Sequence, residues 1–230
     1  MRRNLTVLAL LLAVSLGSVC LVSVSWAQEA SVAPTINQNF KSDALDVEGW
    51  ATRFSGESRE AFHARNEVVK AMALKPGETI ADVGAGTGIY TRLFAQAVGP
   101  TGTVTATDLA PKFLSYIAAN AATDGLKNVR TLQAGDRTSN LPPSSVDVIF
   151  HSDVYHHFEY PMIMNADLRR ALKPGGRLYV LEMEKEGGNT AHVRAPKDAV
   201  IAEIEKSGFT LVEQVKVPGL KENYLLHFRK

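Results

Sequence analysis

The chain has almost no cysteine. Its single thiol, Cys20, lies in an apolar stretch near the N-terminus, so disulfides, thiolate metal sites and a cysteine nucleophile are excluded for the remainder. Thiol-assisted chemistry on acceptors such as arsenic is disfavoured for the same reason. Clusters of lysine and arginine are also missing: 25 basic and 24 acidic residues are spread along 230 positions. Without a basic stripe to neutralise phosphates, no nucleic-acid partner is expected. There is no internal repeat and no low-complexity tract beyond the first residues.

Long apolar runs are absent with one exception. Leu5 to Val24 carries no charge, is preceded by Arg2 and Arg3, and is followed by Ser25-Trp26-Ala27. That is the order of a secretory signal over residues 1–27, cut after Ala27. The expectation is an exported, periplasmic protein beginning at Gln28 and holding no cysteine. The alternative is an uncleaved anchor, since about 20 apolar residues can span a bilayer. In both cases a membrane would be met only through this segment. Without Arg2 and Arg3, 23 basic residues face 24 acidic ones.

At 45% hydrophobic, the chain is long enough for one sizeable core. Its most informative stretch is Ile80-Ala-Asp-Val-Gly-Ala-Gly-Thr-Gly-Ile-Tyr90. A short apolar run from Thr79 to Val83 reads as a buried strand, Gly84, Gly86 and Gly88 follow at alternate positions, and a helical pattern begins at Ile89. Such a turn brings bare backbone N–H groups and the positive end of a helix against a ligand. A dinucleotide fingerprint needs G-x-G-x-x-G, and its third glycine is here Ile89. An NAD-linked oxidoreductase is therefore disfavoured.

Residues 28–59 show no clean period and read as a flexible lead with short helices. From Glu60 a helical spacing runs to the stop at Lys75-Pro76-Gly77. Beyond the glycine turn, strands are expected over 102–107, 129–133, 146–150 and 177–182. Helices are expected over 89–98, 111–124 and 161–172, with a last one over 196–207. Two terminal strand-like runs, Phe209 to Val217 and Tyr224 to Arg229, meet at Pro218-Gly219. Strand and helix alternating in this way imply a parallel α/β sheet covered on both faces, and the final two strands must pair antiparallel.

In order and spacing, Asp82-Val-Gly-Ala-Gly-Thr-Gly88, Asp108 after the second strand, Gly135-Asp136 after the third, Asp147-Val-Ile-Phe150 as the fourth, and Leu172-Lys-Pro-Gly-Gly176 before the fifth resemble the class I S-adenosylmethionine-dependent methyltransferases. The likeness is to the small-molecule group often labelled type 11, and more narrowly to exported members with Tyr155-His-His-Phe158 and Lys221-Glu-Asn-Tyr224. It covers about residues 60–230, with residues 28–59 as a lid segment. The resemblance implies a Rossmann-like doubly wound sheet of order 3-2-1-4-5-7-6 with the last strand antiparallel. It implies methyl transfer to an unidentified small-molecule substrate with S-adenosyl-L-methionine as cofactor.

Residue by residue, it implies that Gly84, Ala85, Gly86, Thr87 and Gly88 lie along the cofactor, with Asp82 toward its methionine end. Asp108, with Leu109 beside it, would take both ribose hydroxyls, since a carboxylate accepts two charge-assisted bonds. Asp136, with Arg137 next to it, would take the adenine amino group, and His151 would line the methionine side. A cap or a solvated turn is the competing role for each acid.

Methyl transfer from a sulfonium is an in-line displacement that chiefly needs alignment and exclusion of water. Open α/β sheets bind ligands beyond the carboxyl ends of their strands, so the loop expected at 151–160 supplies the catalytic candidates Asp153, Tyr155, His156 and His157. Histidine can act as a base near neutrality; the competing role for the pair is a structural latch. The same loop, with His151, Asp153, His156, His157 and Glu159, has metal-ligand residue types, but nearness in sequence does not make them converge, and no metal is expected. Trp50, Phe54 and Phe62 would form the lid's apolar side, while Arg53, Arg59, His63, Arg65, His192 and Arg194 could face the crevice. A methyl donor made in the cytoplasm raises an alternative for an exported protein: a binding module without catalysis.

Overall fold

Seven strands order the molecule, a computed structural model that describes residues 30–56, 59–184 and 193–230. They are β1 (Thr79–Val83), β2 (Thr103–Asp108), β3 (Val129–Gln133), β4 (Val146–Ser152), β5 (Leu172–Met183), β6 (Thr210–Val215) and β7 (Asn223–Arg229). The sheet order is β3-β2-β1-β4-β5-β7-β6. β7 is antiparallel to both neighbours and the remaining pairs are parallel. The predicted doubly wound sheet is thus the observed one.

Helices α1 (Val47–Phe54), α2 (Glu60–His63) and α3 (Arg65–Ala71) precede β1. They are followed by α4 (Ile89–Val98), α5 (Pro111–Thr123), α6 (Pro161–Ala171) and α7 (Lys197–Lys206). Two apolar layers flank the sheet. One joins Leu168, Leu178 and Phe228 to α6 and α7; the other joins Phe94, Phe150 and Met72 to α3 and α4. Alternating side chains of the central strands feed opposite layers: Ile149 goes to the first, and Val148 and Phe150 to the second.

Three local readings differ from the sequence expectation. The helix expected from Glu60 breaks at Ala64, and Ala73 turns into left-handed backbone at φ 47°. β4 runs two residues past Phe150, so His151 and Ser152 are strand residues, not loop. β5 begins at Leu172, and its register with β4 shifts between Val146 and Val148 where the Pro-Gly-Gly segment interrupts regular pairing. No described helix is long and apolar enough to cross a membrane. The proposed signal segment, residues 1–27, lies outside the described residues, as does His192.

The chain from Ala30 to Phe54 crosses the carboxyl ends of the strands as a cap. Phe40, Trp50 and Phe54 pack in sequence at centroid distances of 4.9 and 5.2 Å, and Phe113 of α5 completes the aromatic cluster. Glu159 anchors the cap's beginning by accepting from Ser31 Oγ and pairing with Lys41. At the other end, Glu60 accepts the backbone N–H groups of Lys221, Glu222 and Asn223 at 2.8 to 3.0 Å. This ties the start of α2 to the β6–β7 hairpin.

Candidate active site

A cavity of about 480 Å³ opens beneath the cap at the carboxyl ends of the strands, within the range of about 300–1,000 Å³ usual for small-molecule sites. One end is built by the glycine turn. The N–H groups of Gly84 and Ala85 donate to Thr107 O at 2.8 and 3.0 Å, which folds the turn back onto β2. Gly84 has φ 67°, and a Cβ there would lie 2.6 Å from Val154. Gly88, at φ 79°, caps α4, and its missing Cβ makes room for Ile117 of α5 at 2.8 Å. Gly84, Ala85, Gly86 and Thr87 line the cavity, whereas Gly88 is not among the lining residues and has a packing task.

Asp108 ends β2 at the cavity wall. Each of its oxygens accepts one backbone bond, Oδ2 from Gly86 N and Oδ1 from Ala110 N, both at 2.8 Å. Burial pushes its carboxyl up, and these N–H groups oppose the shift. The Leu109 N–H adds a third backbone bond, and a carboxylate with four lone-pair sites keeps acceptor capacity for a ligand donor. A pair of vicinal hydroxyls is the matching group. Leu109 lies beside it in the wall.

Asp82 is 3% exposed and accepts from Thr91 Oγ1 at 2.6 Å. Burial raises its pKa to about 7; the Thr91 bond lowers it and neighbouring Asp108 adds to the rise. No cation among the described residues pairs with it. A buried acid lacking a cationic partner is costly, and a cationic ligand group in the cavity would offset that cost. S-adenosylmethionine carries a sulfonium and an ammonium, so Asp82 and Asp108 together fit it. Asp136 also lines the cavity but is paired with Lys41 of the cap at 2.5 Å. Arg137 is turned away from the lining, with its guanidinium 3.8 Å from the ring centre of Tyr160.

The cavity lining also includes Asp153, His156 and His157, together with Arg53, Arg59, Phe54 and Phe62 of the cap and its continuation. Asp153 sits at φ 50°, a strained conformation for a non-glycine residue. It faces Arg59 at 3.0 Å and accepts from Asn223 Nδ2 at 2.9 Å. Its pKa rises to about 6, because burial and nearby Glu182 outweigh Arg59 and His156. His156 is 3% exposed, and its Nδ1 lies 2.8 Å from Glu182 Oε1. Burial pushes Glu182 up, but the charge and hydrogen bond of His156 prevail and hold it below the usual carboxylate range. The rings of His156 and His157 are 4.3 Å apart, and Phe40 of the cap meets His157 edge-on.

Besides Gly88 and Arg137, two more predicted site residues lie elsewhere. His151 points into the layer shared with Tyr155 and Phe158, fully buried, and neither ring nitrogen has a hydrogen-bond partner. Burial lowers its pKa to about 4 against the opposing pull of Glu182, so it is neutral. Tyr155 is likewise core: its hydroxyl donates to Glu203 Oε2 at 2.9 Å and accepts from Asn165 Nδ2 at 3.0 Å. Arg194 joins that network through Glu203 and does not line the cavity. His63 and Arg65 also lie outside the lining, packed on Phe62. Among the described residues no group of three His, Cys, Asp or Glu is placed to hold a metal ion.

Glu182 and Lys41 support lining residues and were missed by sequence reasoning, which named Glu159 only as a metal-ligand type and not as the anchor of the cap. The signal for Glu182 was an acid at the carboxyl end of an otherwise apolar strand, where an open α/β sheet meets its ligand. The pairing of Glu159 with Lys41 had no signal, because a cap-to-loop ion pair leaves no spacing pattern.

Comparison with known proteins agrees with this geometry. Residues 81–180 match the family described as a methyltransferase domain. A ubiquinone/menaquinone biosynthesis C-methyltransferase of Ectopseudomonas mendocina is 32% identical over 120 residues, 52% of this chain and 47% of that protein. An arsenite methyltransferase of Halobacterium salinarum is 34% identical over 48% of this chain and 28% of that protein. The chain thus spans about half the length, or less, of these curated relatives. A SAM-dependent methyltransferase from Aquifex aeolicus superposes with a TM-score of 0.71 at 27% identity, covering 80% of this chain and 98% of that one. By its matched domain and by its fold, the chain resembles the class I S-adenosylmethionine-dependent methyltransferases.

Proposed function

We propose that this protein transfers a methyl group from S-adenosyl-L-methionine to a small-molecule acceptor held under the cap. The observation that carries the reading is the pair of buried acids, Asp82 and Asp108, at opposite sides of a glycine turn. One is suited to a cationic group and the other to two hydroxyls. When bound, S-adenosylmethionine supplies a methyl group on a sulfonium that leaves readily with the bonding pair. The chain's own part is then to hold the donor through Asp82, Asp108 and the turn, and to exclude water with Phe40, Trp50 and Phe54. It also sets the acceptor against the wall that includes Asp153, His156 and His157.

Calorimetric titration with S-adenosylmethionine, S-adenosylhomocysteine and NAD tests the reading. Selective binding of the first two is expected. Asp108→Ala removes two charge-assisted acceptors worth roughly 1.5–3 kcal/mol each and should weaken binding by about 100-fold or more. Folded protein that binds neither would sink the proposal. Export is proposed on the pattern of residues 1–27 alone; N-terminal peptide mapping of protein recovered from the periplasm would show Gln28 first if the cut is as expected.

A further inference from the structure

The turn Lys221-Glu-Asn-Tyr224 has no task in holding the cofactor, yet it is tied to the cavity wall. Glu60, the first residue of α2, accepts the consecutive backbone N–H groups of Lys221, Glu222 and Asn223, an arrangement in which successive amides cradle an anion. That fixes the turn from which Asn223 Nδ2 donates to Asp153 Oδ1, while Arg59, next to Glu60 in the chain, pairs with Oδ2. Asp153 is thereby held at φ 50° in the cavity lining. Two of the roughly four lone-pair sites of its carboxylate are used, which leaves capacity for another donor. The charge around it does not balance. Burial and Glu182 push the carboxyl up to about 6, although Arg59, His156 and Asn223 pull the other way. A further cation would offset that cost, and an anionic ligand would add to it. Phe54, Phe62, Phe158, Met164 and Met183 share the lining and suit an apolar body carrying the charge.

We infer that the acceptor is an amine whose ammonium meets Asp153, with Glu60 and Asn223 as positioning residues that hold the carboxylate for it. This rests on the cofactor reading above. An ammonium has no electron pair with which to attack, so it must first lose a proton. An N–H bond breaks with its pair kept on nitrogen, and the proton passes to an Asp153 oxygen. Burial favours this step, because two buried charges become a neutral pair. The nitrogen pair then takes the methyl carbon, the C–S pair stays on sulfur, and bulk water receives the proton from Asp153 once the product has left. The titratable groups facing Asp153 are Glu182 of β5, Arg59 before α2, His156 after β4, Tyr90 of α4 and Tyr224 of β7. Of these only Arg59 is a permanent cation.

Carboxyl-carbon NMR of the full chain labelled at aspartate reads Asp153 directly, with Asp153→Asn identifying its signal. Without ligand the signal should titrate at about pH 6. In protein saturated with S-adenosylhomocysteine, benzylamine should lower that midpoint by about 1 pH unit or more, and benzyl alcohol, its neutral counterpart, should not. Calorimetry should show benzylamine binding weakened about tenfold or more in Asp153→Asn, with S-adenosylhomocysteine affinity unchanged. Asn223→Leu and Glu60→Gln should each raise the ligand-free midpoint, because each loosens a bond to the charged carboxylate. A midpoint that benzylamine leaves in place overturns the inference. So does one lowered by S-adenosylhomocysteine alone and no further by the amine, since the carboxylate would then serve the cofactor's own ammonium. A midpoint unmoved in both Asn223→Leu and Glu60→Gln overturns the positioning role. Folded protein that does not bind S-adenosylhomocysteine overturns the cofactor reading itself.

Discussion

Asp82→Asn should make the ligand-free protein more stable while weakening its hold on the cofactor. The buried carboxyl titrates at about 7, compared with 3.8 for an unperturbed aspartate. One pKa unit is ~1.4 kcal/mol, so the displacement corresponds to roughly 4 kcal/mol. The sign follows from proton linkage: a raised native pKa means that the native state holds its proton where the unfolded chain has lost it. Stability from this group is therefore greatest below pH 3.8 and falls as pH rises to about 7. Asparagine can still accept from Thr91 but never ionises, which removes the penalty.

Urea unfolding at intervals from pH 4 to pH 8 measures the difference. The variant should match wild type near pH 4 and exceed it by up to roughly 4 kcal/mol at pH 8. Calorimetry on the same samples should show weaker S-adenosylmethionine binding, because the buried charge that a cationic group would have matched is gone. A stability difference that does not change with pH, or a variant less stable at pH 8, would refute the argument. The aspartate would then be compensated in a way the structure does not show.

His151→Phe keeps a ring against Tyr155 and Phe158 and removes two buried nitrogens without partners. It should be neutral or stabilising near pH 7 by about 1–3 kcal/mol. Because the native pKa is depressed from 6.5 to about 4, wild type should lose stability as pH falls through that interval, and the variant should lose less; melting temperatures from pH 4 to 7 check both. Gly84→Ala places a Cβ 2.6 Å from Val154 at φ 67°. It should destabilise by about 1–3 kcal/mol or more, and adding Val154→Ala should recover part of the loss, measured by denaturant midpoint, because only the clash is relieved.

Local pattern was enough for the fold class, while the strand order came from the family resemblance. Thr79 to Val83 is apolar, Gly84, Gly86 and Gly88 follow at alternate positions, and two strand-like runs with no helix between them close the chain. Each is a short-range property read from periodicity and backbone freedom, and together they specify a parallel sheet with an antiparallel end. Asp82 and Asp108 were legible for the same reason, as acids at the carboxyl ends of recognisable strands.

The loop after β4 was not legible in that way. Whether His151, Tyr155 or His156 reaches the cavity depends on where the strand ends, and β4 continues two residues beyond its apolar run because Ser152 still pairs with Leu181 of β5. That extension turns His151 into the core, leaves Tyr155 as a latch on Glu203, and brings His156 to Glu182, 26 residues away in the chain. Such a pairing is decided by strand register and side-chain packing, which no local spacing encodes. Sequence thus determined the alternation of strands and helices and placed two acids at strand ends; tertiary structure alone decided that His156 and His157 line the cavity while His151 does not, and that Glu182 meets His156.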